Sequence, residues 1–222
     1  MAYINNIKRP SNSEELAEMY YKNNILIDDL SNMVLCRNIL AYKGEKIHKA
    51  WQGFFEHSEP FQIMLSNLSK IDKLEVNGRK CLVVENPSVF TYLSETLKNF
   101  PIICTYGQVK LAGIVLLDLL VEQNVMVYYS GDIDPEGMQI ADRLKIRYGN
   151  NLKLIGFDKD TYYKNVSNVI LNNSRIKKLD RLKSKELIDL AVVLRENKKV
   201  AYEEMNIDYL MRILGTEIKK DS

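Results

Sequence analysis

The sequence predicts an α/β fold in which a parallel sheet of about four strands is covered by helices on both faces. From Lys80 onwards, short apolar runs alternate with longer amphipathic stretches, and this alternation is typical of consecutive β-α-β units. The apolar runs are continuous, as expected for strands that are buried on both faces. A mixed segment precedes this region, so we predict a division into an N-terminal segment, residues 1–75, and an α/β domain, residues 76–222.

The N-terminal segment contains few strong signals. It has a helical stretch over 13–23, an apolar run over 33–36 and a helical pattern that begins at Phe61 and ends at Leu68. Its aromatic residues are expected to pack in a core, with an interaction surface as the alternative: Trp51, Phe54, Phe55 and Phe61.

The α/β domain is predicted to contain four strands, with a helix after each of the first three. The strands are expected at 81–84, 101–105, 125–130 and 152–157. The helices are expected at 88–98, 111–122 and 137–148. After Asp158 the chain becomes polar and rich in Asn and Lys, and two further helical patterns follow over 187–194 and 202–214.

The composition excludes several classes of protein. The 31 basic and 29 acidic residues leave a formal charge of +2, which differs from the strongly cationic surface of a dedicated nucleic-acid coat protein. Cys36, Cys81 and Cys104 lie far apart and fit buried thiols of a reducing compartment better than a disulfide framework. No apolar stretch is long enough to span a bilayer, so we expect a cytoplasmic protein without membrane association.

Three acidic residues stand where strands of the predicted sheet end. Glu85 follows the first strand, and Asp132 and Asp134 follow the third, at the edge where functional groups of parallel sheets gather. Residues two apart in an extended segment project to the same side, so both aspartates can face one ion while Ile133 turns towards the core. Crowded carboxylates repel each other, and a divalent cation removes that cost. Oxygen ligands select a hard cation, so the sequence predicts Mg²⁺ or Mn²⁺ and phosphoryl chemistry.

Simpler explanations exist for several polar residues. Asp134 can simply cap a helix that begins at Pro135, whereas Gly137 strengthens the metal-site interpretation, because it lets another backbone or a phosphate approach closely. Glu203 and Glu204 fall on a predicted late helix, where exposure to solvent explains both. A basic cluster forms either a solvated helix surface or a contact surface for DNA phosphates: Arg175, Lys177, Lys178, Arg181, Lys183 and Lys185.

These motifs resemble a Toprim domain, which has a glutamate after the first strand (VVEN), a glycine turn after the second (CTYGQ) and D-x-D after the third. The run GDIDPEGMQIADRLKIRYG is also similar to a segment of topoisomerase VI A subunits. A closer resemblance is to the DUF2399 family, the C-terminal domain of the nuclease subunit in Wadjet-type SMC systems, which act against plasmids. It runs over ENPSVF, ICTYGQ, YYSGDIDPEG and IADRLKIRYG and extends to AYEEMNIDYLMRIL.

The resemblance implies a homodimeric Toprim nuclease that cleaves DNA with Mg²⁺ or Mn²⁺ and acts in an SMC-type complex. The positions that match the family's acidic residues and glycines are Glu85, Asp132, Asp134, Gly107, Gly137 and, for a late acidic position, Glu203 or Glu204. Full-length relatives carry a longer N-terminal half with DNA-binding arm or winged-helix elements. Residues 1–75 resemble the end of that half.

The leading hypothesis is endonucleolytic hydrolysis of DNA, in which Asp132 and Asp134 bind the metal and Glu85 completes the site or acts as general base. The alternative is a non-catalytic Toprim module that binds DNA or SMC partners. A third hypothesis is a phosphatase of the haloacid-dehalogenase type, which also uses D-x-D. It is disfavoured because that motif normally follows the first strand, whereas here it follows the third.

Overall fold

The structure is a computed structural model that describes residues 10–219, apart from the side chains of residues 217–219. The two predicted parts of the chain extend beyond this range, and residues 1–9 and 220–222 lie outside the described residues. The helices are α1 (Ser13–Lys22), α2 (Lys49–His57), α3 (Leu65–Leu68), α4 (Pro87–Thr96), α5 (Leu111–Glu122), α6 (Pro135–Tyr148), α7 (Lys159–Asn165), α8 (Asn173–Ile176), α9 (Lys185–Asn197) and α10 (Ile207–Lys219).

The strands form three sheets. They are β1 (Met33–Arg37), β2 (Leu40–Lys43), β3 (Lys46–Ile47), β4 (Phe61–Met64), β5 (Lys73–Glu75), β6 (Lys80–Val84), β7 (Ile102–Cys104), β8 (Met126–Tyr129), β9 (Leu152–Leu154), β10 (Val166–Ile170) and β11 (Lys199–Ala201). The main sheet has the order β4-β1-β7-β6-β8-β9. Two smaller sheets have the orders β3-β2-β5 and β10-β11.

The predicted α/β fold with a parallel sheet is confirmed. The four strands β6, β7, β8 and β9 are parallel to one another, as expected for β-α-β units. Two antiparallel strands, β1 and β4, extend the sheet beyond β7. The main sheet therefore contains strands from both sides of residue 75, and the predicted division of the chain at that residue stays a prediction.

Helices cover both faces of the main sheet. On one face, residues of β6 such as Leu82 and Val84 share a buried cluster with Phe90 of α4 and Leu210 of α10. On the other face, alternate strand residues share a cluster with α5, α6 and α9. Because successive side chains of a strand point to opposite faces, each continuous apolar run supplies both layers of the core.

The start of α6 follows from three residues. Asp134 is the N-cap, and its side chain accepts a hydrogen bond from the backbone N–H of Gly137. Pro135 occupies the first turn, where its lack of an N–H costs nothing. The predicted cap is confirmed, and it places the helix directly behind the D-x-D segment.

The N-terminal part differs from the prediction at one element. Phe61–Met64 is a strand and not the start of a helix, because it pairs with β1 through the partners Val34 and Ile63. A single short turn of helix, α3, follows it. The predicted core role is confirmed for Trp51 and Phe61, which are buried and meet edge to face at 5.0 Å.

Two further expectations concern the cysteines and the membrane. Cys36, Cys81 and Cys104 are buried and free, so the prediction of buried thiols is confirmed. Within residues 10–219, no helix has the length and apolar character needed to cross a membrane.

Candidate metal centre

Glu85 and Asp132 lie at the same edge of the main sheet because β6 and β8 are parallel neighbours. The register pairs Val83 with Tyr129, so the chain leaves both strands on the same side, at their carboxyl ends. The backbone N–H of Asp132 donates to Oε2 of Glu85 at 3.4 Å. Two acidic residues from different strands therefore share one site, as the edge position predicts.

A backbone bridge brings a distant segment to this edge. Ile133 and Ala201 form an antiparallel bridge, with N–H···O distances of 2.8 Å from Ile133 to Ala201 and 3.1 Å in the opposite direction. Ile133 is buried, as expected for the residue between the two aspartates. Because β11 ends at Ala201, the bridge places Glu203 beside Asp132.

Glu203 is a buried carboxyl that connects both acidic segments. Its Oε2 accepts hydrogen bonds from the backbone N–H groups of Glu85 at 3.1 Å and Asn86 at 2.9 Å. Its own N–H donates to Oδ1 of Asp132 at 2.8 Å. Glu203 is only 1% exposed, so the interpretation of this residue as solvent-exposed is wrong. That interpretation holds for Glu204, which is exposed and accepts a hydrogen bond from the Asn86 side chain.

Burial raises the pKa of all three carboxyl groups. Burial and then the charge of Asp132 raise the pKa of Glu85 to about 7. Burial raises the pKa of Asp132 to about 6, although the hydrogen bond from Glu203 opposes the change. Burial also raises the pKa of Glu203 to about 8, against the opposing hydrogen bond from the N–H of Asn86. A cation among these groups would remove their mutual repulsion.

Three buried polar atoms near the carboxyl groups have no hydrogen-bond partner among the described residues. They are Oε1 of Glu203, Oγ of Ser130 and the hydroxyl of Tyr129. The Ser130 hydroxyl lies close enough to lower the pKa of Glu203, but neither atom reaches hydrogen-bond geometry with the other. Burial, and then the charge of Glu85, raises the pKa of Tyr129. Buried polar atoms are normally paired, so this cluster has unused capacity to bind a ligand.

Asp134 lies beside this cluster, but its carboxylate is already bound. Oδ1 accepts a hydrogen bond from the N–H of Gly137 at 2.7 Å, and Oδ2 forms an ion pair with Arg175. The Arg175 guanidinium also pairs with Glu136 at 2.6 Å, and Lys178 pairs with Glu136 at 2.7 Å. Part of the basic cluster thus neutralises the acidic start of α6, a role that neither interpretation of the sequence included.

Glycines keep the space around the acidic residues open. A Cβ on Gly137 would lie 2.3 Å from the backbone oxygen of Asp132, so the helix approaches the D-x-D segment too closely for any side chain. A Cβ on Gly131 would lie 2.8 Å from Oε2 of Glu85. Gly107 has a φ of +83°, which favours glycine, and its N–H donates to the backbone oxygen of Glu85 at 3.2 Å.

The three predicted site residues do not all lie together in the structure. The fold brings Glu85 and Asp132 together and adds Glu203, whereas Asp134 faces Arg175. Among the side chains of residues 10–216, no three from His, Cys, Asp or Glu stand in position to hold a metal ion. The donor set nevertheless fits a hard divalent cation, because it consists of crowded carboxyl oxygens, one of which is buried without a partner.

Several participants were not predicted from the sequence. Tyr129 and Ser130 belong to an apolar run, and only their hydroxyl groups at the end of a buried strand could have signalled a polar site. Gly131, directly before D-x-D, was a second available signal of close packing. The roles of Asn86 and Arg175 depend on contacts with distant parts of the chain, which local patterns do not reveal.

The match to a known family covers most of these elements. The family described as Protein of unknown function C-terminus (DUF2399) matches residues 61–214. The matched range includes the four parallel strands and all the acidic residues of the site. No curated protein matches the chain. Since the family match spans more than half of the sequence, the chain belongs to the DUF2399 family.

Proposed function

We propose that the protein is a metal-dependent DNA endonuclease of the Toprim type. The observation that supports this function is the crowding of Glu85, Asp132 and Glu203 at the carboxyl edge of a parallel sheet, where burial raises the pKa of each. No Lys or Arg in the described part of the chain forms an ion pair with these three residues. Oxygen donors without a basic partner select Mg²⁺ or Mn²⁺, which also accept phosphate oxygens as ligands.

Each acidic residue has a proposed role. Glu85 and Asp132 would hold the ion, and Asp134 is the predicted third ligand, which Arg175 would have to release. A bound ion would neutralise charge on the phosphate and make a coordinated water more acidic. Glu203 holds the backbone of Glu85 and the side chain of Asp132 in place.

The test is the cleavage of supercoiled and linear plasmid DNA with Mg²⁺ or Mn²⁺. Asp132→Asn removes the charge but keeps an oxygen that accepts the hydrogen bond from Glu203, so the variant should fold and lose cleavage. Glu56→Gln changes an exposed carboxyl on α2, whose partner is Gln52, and should retain full activity. Undiminished cleavage by Asp132→Asn would overturn the proposed site.

A second candidate function is DNA or partner binding without catalysis. The ion pair between Arg175 and Asp134 favours it, because it neutralises one predicted ligand without a metal. This function predicts that affinity for duplex DNA, measured by fluorescence anisotropy, survives when Glu85, Asp132 and Asp134 are all changed to their amides. The nuclease proposal predicts metal-dependent cleavage that this triple variant lacks.

The family resemblance supports a wider setting for the activity. We propose that the protein acts in the cytoplasm as a homodimer, within an SMC-type complex that defends against plasmids. Light scattering on the eluting protein tests the dimer. Loss of plasmid exclusion in cells that carry Asp132→Asn tests the role in defence.

A further inference from the structure

We propose that Glu203 is a direct metal ligand, which binds through Oε1 the same divalent cation as Glu85 and Asp132. The inference rests on the proposed function and deepens it. It assigns the third carboxylate to a residue that lies 71 positions after Asp132, in place of the neighbouring Asp134.

The two oxygens of Glu203 have different surroundings. Oε2 accepts two backbone hydrogen bonds, from Glu85 and Asn86, and these are sufficient to hold the two segments together. Oε1 is buried and has no partner among the described residues, and a buried polar atom left without a partner costs free energy. A purely structural residue would need only Oε2, and glutamine would serve equally well. The free Oε1 is the part of the side chain that a structural role leaves unexplained.

Other buried polar groups without partners lie at the same edge of the sheet. The hydroxyl of Tyr129 is fully buried and has no partner in the described part of the chain. It lies 3.0 Å from the position of a Cβ on Gly131, and Oε2 of Glu85 lies 2.8 Å from that position. Tyr129 and Glu85 therefore border the space that the glycine leaves open. The neighbouring Ser130 hydroxyl is also buried without a partner among the described residues.

The alternative third ligand is less available. Asp134 would have to exchange the guanidinium of Arg175 for the ion while its other oxygen caps α6. Glu203 has no basic partner to displace, and the bridge between Ile133 and Ala201 already holds it against Asp132. Binding of a cation through Oε1 of Glu203 therefore breaks no ion pair.

The test is isothermal titration of the metal-free protein with Mn²⁺. Glu203→Gln keeps an oxygen for both backbone N–H groups and gains an amide that can donate to Ser130, so the structural role is preserved. We expect Mn²⁺ to bind this variant more than about 100-fold more weakly than the wild type, because the loss of a residue that only positions a ligand typically costs about 10–100-fold. Glu204→Gln changes the adjacent exposed carboxyl, and it should bind Mn²⁺ nearly as tightly as the wild type.

Each outcome decides the question. Equal Mn²⁺ affinity of Glu203→Gln and the wild type would overturn the inference, and so would a large loss of affinity in Asp134→Asn without one in Glu203→Gln. Unfolding of metal-free Glu203→Gln, followed by circular dichroism, would also overturn it, because the charge would then serve the fold. If the wild type bound no Mn²⁺, the proposed function would fail as well. Binding that survives in Glu203→Gln leaves the nuclease proposal standing.

Discussion

The backbone N–H of Glu203 donates a 2.8 Å hydrogen bond to Oδ1 of Asp132. The bond joins segments that are 71 residues apart, and it follows from the bridge between Ile133 and Ala201. It makes the chain after β11 part of the candidate metal centre. Since an asparagine at position 132 keeps the acceptor, the charge of the site can be changed without removing the bond that shapes it.

The metal-free protein should become less stable as the pH rises from about 5 to about 8. Glu85, Asp132 and Glu203 have pKa values of about 7, 6 and 8 in the folded protein, whereas carboxyl groups in an unfolded chain titrate near pH 4. The folded state therefore binds more protons in this range. Its extra stability is complete below about pH 4 and is lost as each group ionises.

Urea denaturation at pH 5 and pH 8 measures this loss, which we expect to reach several kcal/mol, because a shift of one pKa unit corresponds to roughly 1.4 kcal/mol. Glu203→Gln should show a smaller loss, since one buried charge is absent. An unfolding free energy that stays constant or rises over this range would contradict the burial of the three carboxyl groups.

Divalent cations should reverse the instability at about pH 8. A ligand that binds only the folded state at a hundred times its Kd adds about 2.7 kcal/mol of stability, so Mn²⁺ should raise the thermal midpoint of the wild type. Asp132→Asn should show little or no rise. Glu56→Gln, which keeps the site intact, should behave as the wild type does; an equal Mn²⁺ response from all three proteins would place the binding elsewhere.

Gly137→Ala should disrupt the site and the fold together. The added Cβ would meet the backbone oxygen of Asp132 at 2.3 Å, so the helix or the D-x-D segment must shift, at a cost of about 2 kcal/mol. Gly53→Ala is the matched control, because a Cβ in the middle of α2 meets nothing within 4 Å. Urea denaturation should show that the free energy of unfolding of the control rises by about 0.5–1 kcal/mol, because alanine has a higher helix propensity than glycine. Equal stabilities of the two variants would contradict the close approach at Gly137.

Arg175→Ala should strengthen Mn²⁺ binding. The change leaves Asp134 without its basic partner and Glu136 with Lys178 alone, and the added negative charge near the site should raise metal affinity by up to about fivefold. Calorimetry on Arg195→Ala gives the control, since that change removes an exposed pair with Asp180. Weaker Mn²⁺ binding by Arg175→Ala would show that the arginine supports the site instead of competing with it.

Local patterns were sufficient to predict the parallel part of the fold. The helix expected over 111–122 coincides with α5, Leu111–Glu122, and the strand expected over 81–84 lies within β6, Lys80–Val84. Both elements are apolar and mostly buried, so the pattern of apolar residues in the sequence is sufficient to predict them. β4 was mispredicted because the spacing of Phe61, Met64, Leu65 and Leu68 fits a helix, while pairing with β1 decides the outcome.

The candidate site was only partly predictable for the same reason. Glu85 and Asp132 were predictable because the ends of parallel strands meet at one edge. Glu203 was not distinguished from Glu204, since both lie in one polar stretch, and only the bridge to Ile133 determines which of them is buried. The ion pair of Asp134 with Arg175 joins the D-x-D segment to α8. Neither the D-x-D motif nor the basic cluster indicates this contact by itself.

The most direct test of the candidate metal centre is an anomalous difference map from crystals of the wild-type protein soaked in Mn²⁺. The account predicts a peak within bonding distance of the carboxylates of Glu85 and Asp132, at the carboxyl ends of β6 and β8. No peak at this edge of the sheet, or a peak only against Asp134 and Glu136, would contradict it.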